Sequence, residues 1–307
     1  MFRTSTLACL LAASAAFAGP ASAAPAPAEI VAAAPATDWA AIDLADLLVM
    51  DLASGPADRE VGASPRRIVI QLMPPPFSQG WIGNIRKLAA AHWWDGTSVN
   101  RVQDNYVVQW GDAEADDKAK AKPLPPGLRD LTRVPYQAPA VGTAWINPSR
   151  DAYAARTGIV QGWPVSFAKD GAAPVHCYGM VGAGRAMPPD TGSGAELYAV
   201  IGTPPRHLDR NIALVGRVIE GIEHLSSLPR GTGPLGFYEK AGQRVPISSI
   251  RLGTEMPGLP RYEYLSTDST SFARYADARA NRQDAFFVKP AGGADICNVP
   301  VPVRRVP

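Results

Sequence analysis

The residues of this chain best suited to chemistry lie between Asp95 and Asp112. There Asp95-Gly96-Thr97-Ser98-Val99-Asn100-Arg101 leads into Asn105-Tyr106-Val107-Val108-Gln109-Trp110-Gly111-Asp112. Arg101 is set in an apolar alternation, and Tyr106, Val108 and the Gly111-Asp112 pair follow it, which predicts a strand, a tight turn and a second strand. An arginine held this way points somewhere definite. It either directs its N–H donors at a fixed partner or ligand, or stands on a barrel rim as an ordinary surface cation.

Other chemistries lack their residues. His92, His176, His207 and His224 are scattered, with no His-Glu-x-x-His and no Cys-x-x-Cys, so the sequence predicts no metal site. Gly182-Ala183-Gly184-Arg185 lacks the third glycine and the helical context of a dinucleotide loop, and no Walker-type lysine follows a glycine run. No serine sits in a Gly-x-Ser-x-Gly elbow. The net charge of +2 carries no signature of a nucleic-acid partner.

Residues 1–23 read as a secretory signal peptide: Arg3 gives a positive start, Leu7 to Phe17 an apolar run, and Ala21-Ser22-Ala23 a small-residue cleavage site. No other segment approaches the ~20 apolar residues of a membrane span, so no membrane insertion is expected. The expectation is a periplasmic or secreted protein. Of the 3 cysteines, Cys9 falls inside the signal, and Cys177 and Cys297 remain in a compartment that permits disulfides. They either pair or stay as two thiols, depending on whether the fold brings them within bonding distance.

The elements that must position the central motif flank it on both sides. Residues 24–45, rich in alanine and proline, are predicted as a flexible leader. The runs from Leu47 to Leu52 and from Arg67 to Leu72 are β-prone and separated by turn-forming residues, which predicts a hairpin. After Pro74-Pro75-Pro76, Ser78 can cap a helix on which Trp81, Ile85, Leu88 and Ala89 share a face. Residues 113–175 break the pattern. They are charged and then proline-rich as far as Pro139, as an exposed excursion would be, and then carry aromatics such as Tyr153, Trp163 and Phe167 that are too apolar for a free linker. Strand candidates resume at 175–181, 196–201 and 213–218, followed by a short helix at 220–228 and a closing strand at 247–252, the complement of a barrel. An extension over 255–307 holds a helix candidate from Ser269 to Arg282, the apolar run Ala285-Phe286-Phe287-Val288, and Arg304-Arg305, read as a solvated tail.

Three blocks, in this order, resemble the cyclophilins, a family of peptidyl-prolyl cis–trans isomerases. The first is Arg101 with Gln109. The second is Gly179-Met180-Val181-Gly182-Ala183-Gly184-Arg185-Ala186 followed by Gly194-Ala195-Glu196-Leu197-Tyr198. The third is His207-Leu208-Asp209 with Val215-Gly216-Arg217-Val218-Ile219-Glu220-Gly221. The likeness covers residues 46–254. It implies a mainly β fold: a closed eight-stranded antiparallel barrel capped by two helices, here with the insertion at 113–175 and the C-terminal extension. It implies catalytic roles for Arg101 and Gln109, and a substrate groove formed by Tyr106, Val107, Arg185, Ala186, Tyr198, His207, Leu208 and Ile212. No cofactor is implied, and the partners are proline-containing polypeptides. The chain departs from the family pattern where Tyr198 stands for a phenylalanine, Val107 for a methionine, Ile212 for a histidine, and His207 for the tryptophan of cyclosporin-sensitive members. Ala195-Glu196 replaces a serine–glutamine pair.

Such a site faces a barrier of ~18–20 kcal/mol, set by the partial double-bond character of the peptide bond. It needs a cation able to stabilise the imide nitrogen lone pair as the bond twists, and an apolar pocket that holds the proline ring. Two functional expectations stand. The chain isomerises Xaa-Pro bonds of exported proteins and assists their folding, or it is a catalytically weak cyclophilin-like binding protein or chaperone for proline-containing segments.

Overall fold

The computed structural model describes residues 24–53, 66–139, 142 and 145–306. The signal-peptide reading of residues 1–23 lies outside them, as do most of the turn-forming residues between the first two predicted strands. In chain order the elements are α1 (Pro27–Ala32), β1 (Trp39–Ile42), β2 (Leu47–Leu52), β3 (Arg66–Leu72), α2 (Gln79–Ala90), β4 (Ser98–Val102) and β5 (Val107–Gly111). Next come β6 (Trp145–Ile146), β7 (Arg156–Val160), β8 (Trp163–Ala168), β9 (Gly171–Pro174), β10 (Met180–Ala183), β11 (Leu197–Val200) and β12 (Leu214–Glu220). The chain closes with α3 (Ile222–Ser226), β13 (Val245–Leu252), β14 (Tyr262–Leu265), α4 (Thr270–Ala280) and β15 (Val303–Arg305).

Eight strands close an antiparallel barrel in the order β10-β11-β5-β4-β13-β2-β3-β12, with β12 returning to β10. The run Leu47–Leu52 is apolar at nearly every position because both faces of β2 are covered. Leu48, Met50 and Leu52 join the main core, while Leu47 and Val49 pack with Ile42, Leu259 and Tyr262 beneath a second sheet, β1-β14-β15. Helix α2 turns Trp81, Ile82, Ile85, Leu88 and Ala89 into the core, as its periodicity predicts. Ser78 occupies the position before it, but with φ 53° and no side-chain hydrogen bond to the helix. The Gln79 amide instead donates to the Met73 and Phe77 carbonyls.

Two expectations from local sequence, the flexible leader and the solvated tail, are corrected by tertiary contacts, and the aromatic part of the insertion, to which the sequence assigned no conformation, gains one. The leader at 24–45 is ordered. It forms α1, whose Ile30 is buried with residues of α4, and β1, which pairs with β14 from Trp39↔Leu265 to Ile42↔Tyr262. The later part of the insertion folds into its own sheet, β6-β7-β8-β9. Its tight hairpin turns at Gln161 (φ 49°) and Gly162 (φ 84°), both left-handed as a two-residue turn between twisted strands requires. Arg304 and Arg305 are not a solvated tail: Arg304 pairs with Glu263 and lies over the Trp39 ring, and Arg305 pairs with Glu220 through two bonds of 2.6–2.7 Å. The apolar run at 285–288, by contrast, contributes little to the core, with Phe286 83% and Val288 102% exposed.

Cys177 and Cys297 are joined in a disulfide across 120 residues, which ties the extension to the segment just before β10. Ser269 caps α4 by accepting a hydrogen bond from the Phe272 N–H. Among the described residues no helix is long and apolar enough to cross a membrane.

Candidate active site

Strand register brings the separate sequence blocks into one row. Arg101 on β4 is opposite Gln109 on β5, Gln109 is opposite Tyr198 on β11, and Tyr198 is opposite Gly182 on β10. Directly paired residues share a face of a sheet, so the guanidinium, the amide and the phenol stand side by side. Gly182 is needed in that row, because a Cβ there would lie 2.3 Å from the Tyr198 ring. The hairpin that presents Arg101 and Gln109 turns through Asn105 at φ 50°, and the Asn105 carboxamide oxygen accepts from the Thr203 N–H at 2.8 Å.

Arg101 is held at three of its five N–H groups. Nε donates to the Leu235 carbonyl at 2.7 Å, one terminal nitrogen donates to Gln109 Oε1 at 3.0 Å, and the other donates to Gln103 Oε1. The guanidinium is flanked by the rings of Tyr106 and Phe237, 5.6 and 5.4 Å from their centroids. Gln109 Nε2 donates in turn to Glu196 Oε1 at 2.7 Å. Burial raises the proton affinity of the Glu196 carboxyl above its ordinary value, and the Gln109 hydrogen bond opposes this in part.

Beside Arg101 is a cavity of about 110 Å³, lined by Tyr106, Val107, Tyr198, Leu208 and Ile212, with Arg101, Gln109, Gly184 and Arg185 at its edge. Tyr198 is locked from behind. Its hydroxyl is 2.8 Å from His176 Nε2, and His176 Nδ1 is 2.9 Å from Asp209 Oδ1, which also accepts from the His176 backbone N–H. Facing that carboxylate, Nδ1 carries the ring proton, so Nε2 accepts from the tyrosine. Asp209 Oδ2 accepts from Arg206, which also makes a two-pronged pair with Asp151 of the insertion at 2.8 and 3.0 Å. Burial pushes the Tyr198 hydroxyl up and the His176 imidazolium down, so both are neutral.

Of the predicted site residues, only Ala186 and His207 do not line this cavity. Ala186 borders the two neighbouring clefts, its N–H donating to Asp190 at 2.7 Å and its carbonyl accepting from Arg185 at 2.8 Å. His207 stands outside the cavity, its ring parallel to that of Tyr106 with centroids 6.4 Å apart. Sequence reasoning missed Gln103, Leu235, Phe237 and the Asp151–Arg206–Asp209–His176 chain. Gln103 was within reach, since it sits two residues from Arg101, the spacing that returns a strand side chain to the same face. The others come from loops distant in sequence and leave no local trace.

A small closed barrel with a side groove, a cationic rim and an apolar cavity defines the class. The sequence pattern of the family "Cyclophilin type peptidyl-prolyl cis-trans isomerase/CLD" matches residues 67–252, so the chain belongs to the cyclophilin-type peptidyl-prolyl cis–trans isomerases, a family of enzymes. Its fold is similar to that of cyclophilin AquaCyp293 from Hirschia baltica, with a TM-score of 0.57 at 18% identity over 83% of this chain and 92% of that one. A cyclophilin-type peptidyl-prolyl cis–trans isomerase of Cryptosporidium parvum aligns at 11% identity and a TM-score of 0.40, over 67% of this chain and 96% of that one. No curated protein matches the sequence.

Proposed function

We propose that this chain is an exported isomerase that acts on Xaa-Pro bonds of proteins folding in the same compartment, where the uncatalysed step takes tens to hundreds of seconds. The observation that carries the reading is Arg101: a guanidinium fixed at three N–H groups, with two left to donate beside an apolar cavity. The proline ring enters the space between Tyr106, Val107, Tyr198, Leu208 and Ile212, and the peptide bond before it passes the guanidinium. As that bond twists, its nitrogen becomes pyramidal and gains a lone pair, to which Arg101 donates. This contact is available only in the twisted state, so it lowers the barrier without tightening either planar form. Gln109 holds Arg101 in place, and Tyr198, its hydroxyl turned inward to His176, presents a ring to the proline.

A second reading, a proline-segment binding protein with weak turnover, draws support from Ala186. Expected in the substrate groove, it has its N–H and its carbonyl both taken by neighbours within the protein. Turnover of a short Xaa-Pro peptide by the mature protein separates the two. Measurable isomerisation that falls in Arg101→Ala supports the enzyme. Binding of the peptide with turnover no faster than in buffer supports the second reading.

A further inference from the structure

We infer that Glu196 is a positioning residue for isomerisation: its ionised carboxylate decides which way the Gln109 amide faces, and through that amide holds Arg101 in the groove. The inference deepens the isomerase reading and rests on it.

Donors and acceptors are matched along the series Arg101, Gln109 and Glu196. A guanidinium can only donate, an ionised carboxylate can only accept, and a glutamine amide does each at one end. Gln109 lies between the two. Its oxygen accepts from Arg101 at 3.0 Å and its nitrogen donates to Glu196 at 2.7 Å. Reversing the amide would set N–H against the guanidinium and oxygen against the carboxylate, so the ionised ends enforce one orientation. A protonated Glu196 would remove that constraint, because its O–H can donate to the Gln109 oxygen and draw it away from Arg101. A glutamine at position 196, as the family pattern has, carries no such switch.

The carboxylate is built into its place. It precedes β11, where the Glu196 carbonyl accepts from the Gly184 N–H at 2.8 Å. Gly184 makes room for it, since a Cβ there would come within 3.0 Å of Glu196 Cγ. Loop 184–196 is pinned in turn by Trp81, Asn84 and Trp94, whose side chains donate to the carbonyls of Thr191, Ser193 and Ala195. The charges around Glu196 are mixed. Asp112 at the end of β5 and Asp116 in the following loop disfavour its ionisation, while Arg101 on β4 favours it. Lys122, Arg185, Asp190 and Arg244 line the clefts it shares, and among the described residues none of them forms an ion pair with it. Burial and the two aspartates therefore raise its proton affinity above the ordinary carboxyl value, against the opposing pull of Gln109 and Arg101.

The test is kcat/KM for an Xaa-Pro peptide between about pH 4 and 8, together with NMR of the Gln109 side-chain amide over the same range. In the wild type, activity should fall on acidification in a single proton step, and the amide resonances should move with it. Glu196→Gln, whose amide can donate to the Gln109 oxygen as the protonated carboxyl does, should abolish that limb and hold at every pH the lowered activity that the wild type reaches on acidification. Glu196→Leu should lower kcat about tenfold at all pH values with little change in KM. An acid limb unchanged in Glu196→Gln, or wild-type kcat in Glu196→Leu, overturns the inference. An amide that titrates in a protein lacking turnover would sink the isomerase reading and uphold the coupling. A static amide in an active enzyme would do the reverse.

Discussion

Two hydrogen-bonded chains meet at the groove, and they differ in how far each is removed from water. On one side Gln103, Arg101, Gln109 and Glu196 form a partly buried series that opens onto the groove and its neighbouring clefts. On the other, Tyr198, His176, Asp209, Arg206 and Asp151 form a series whose charged and histidine side chains are no more than 4% exposed. The open series retains unused donors and so can act on a substrate. The closed series has its principal groups satisfied internally, fixing the shape of the pocket and joining the insertion to the barrel. Interaction energy in the first appears as rate, and in the second as stability.

The largest expected effect lies in the closed series. Arg206→Ala leaves the Asp151 and Asp209 carboxylates buried without their cation and should cost about 3–5 kcal/mol, measured as a lower urea midpoint at unchanged slope. A wild-type midpoint would mean that the series is not structural and would dissolve the contrast.

Next is the covalent tie between the same regions. The Cys177→Ser/Cys297→Ser variant opens a closure of 120 residues and should lose about 2–5 kcal/mol. Denaturant melting of both proteins under non-reducing conditions tests this, and equal stability would detach the extension from the domain.

The open series should respond in rate alone. Arg101→Ala removes a charge-assisted hydrogen bond worth about 1.5–3 kcal/mol, so turnover should fall by roughly 10- to 150-fold while the unfolding midpoint stays near wild type. A large loss of stability with proportionate loss of activity would place Arg101 with the structural groups.

The smallest effect is at the junction. Tyr198→Phe keeps the ring against the proline but leaves His176 Nε2 without its donor, which should cost about 1–2 kcal/mol of stability with kcat nearly unchanged. The same histidine gives a pH signature. Burial depresses its folded-state proton affinity, so below about pH 6.5 the unfolded chain binds a proton that the folded chain refuses, and stability should fall as pH falls through that point. Thermal melts of the wild type and His176→Gln at pH 7 and below check this, with the variant expected to show the shallower decline.

What the sequence by itself determined is what local pattern can encode. The apolar runs of β2 and β3, the face of α2 carrying Trp81, Ile85 and Leu88, and the strand–turn–strand from Ser98 to Gly111 are all set by periods of two or 3.6 residues and by turn chemistry. The order of the three motif blocks was equally legible, and with it the barrel and the neighbourhood of Arg101 and Gln109. Only the tertiary structure decided what required distant partners. The segment at 24–45 has no periodicity strong enough to order it alone, yet β1 is paired because β14 offers an edge. Leu235 reaches Arg101 across 134 residues and Glu196 reaches Gln109 across 87, contacts for which no nearby residue carries a signal. The Cys177–Cys297 bond likewise depended on approach rather than on count. A chain writes its local conformational preferences at each position, but hydrogen-bond partners so far apart are chosen only when the barrel closes and its register fixes which side chains face one another.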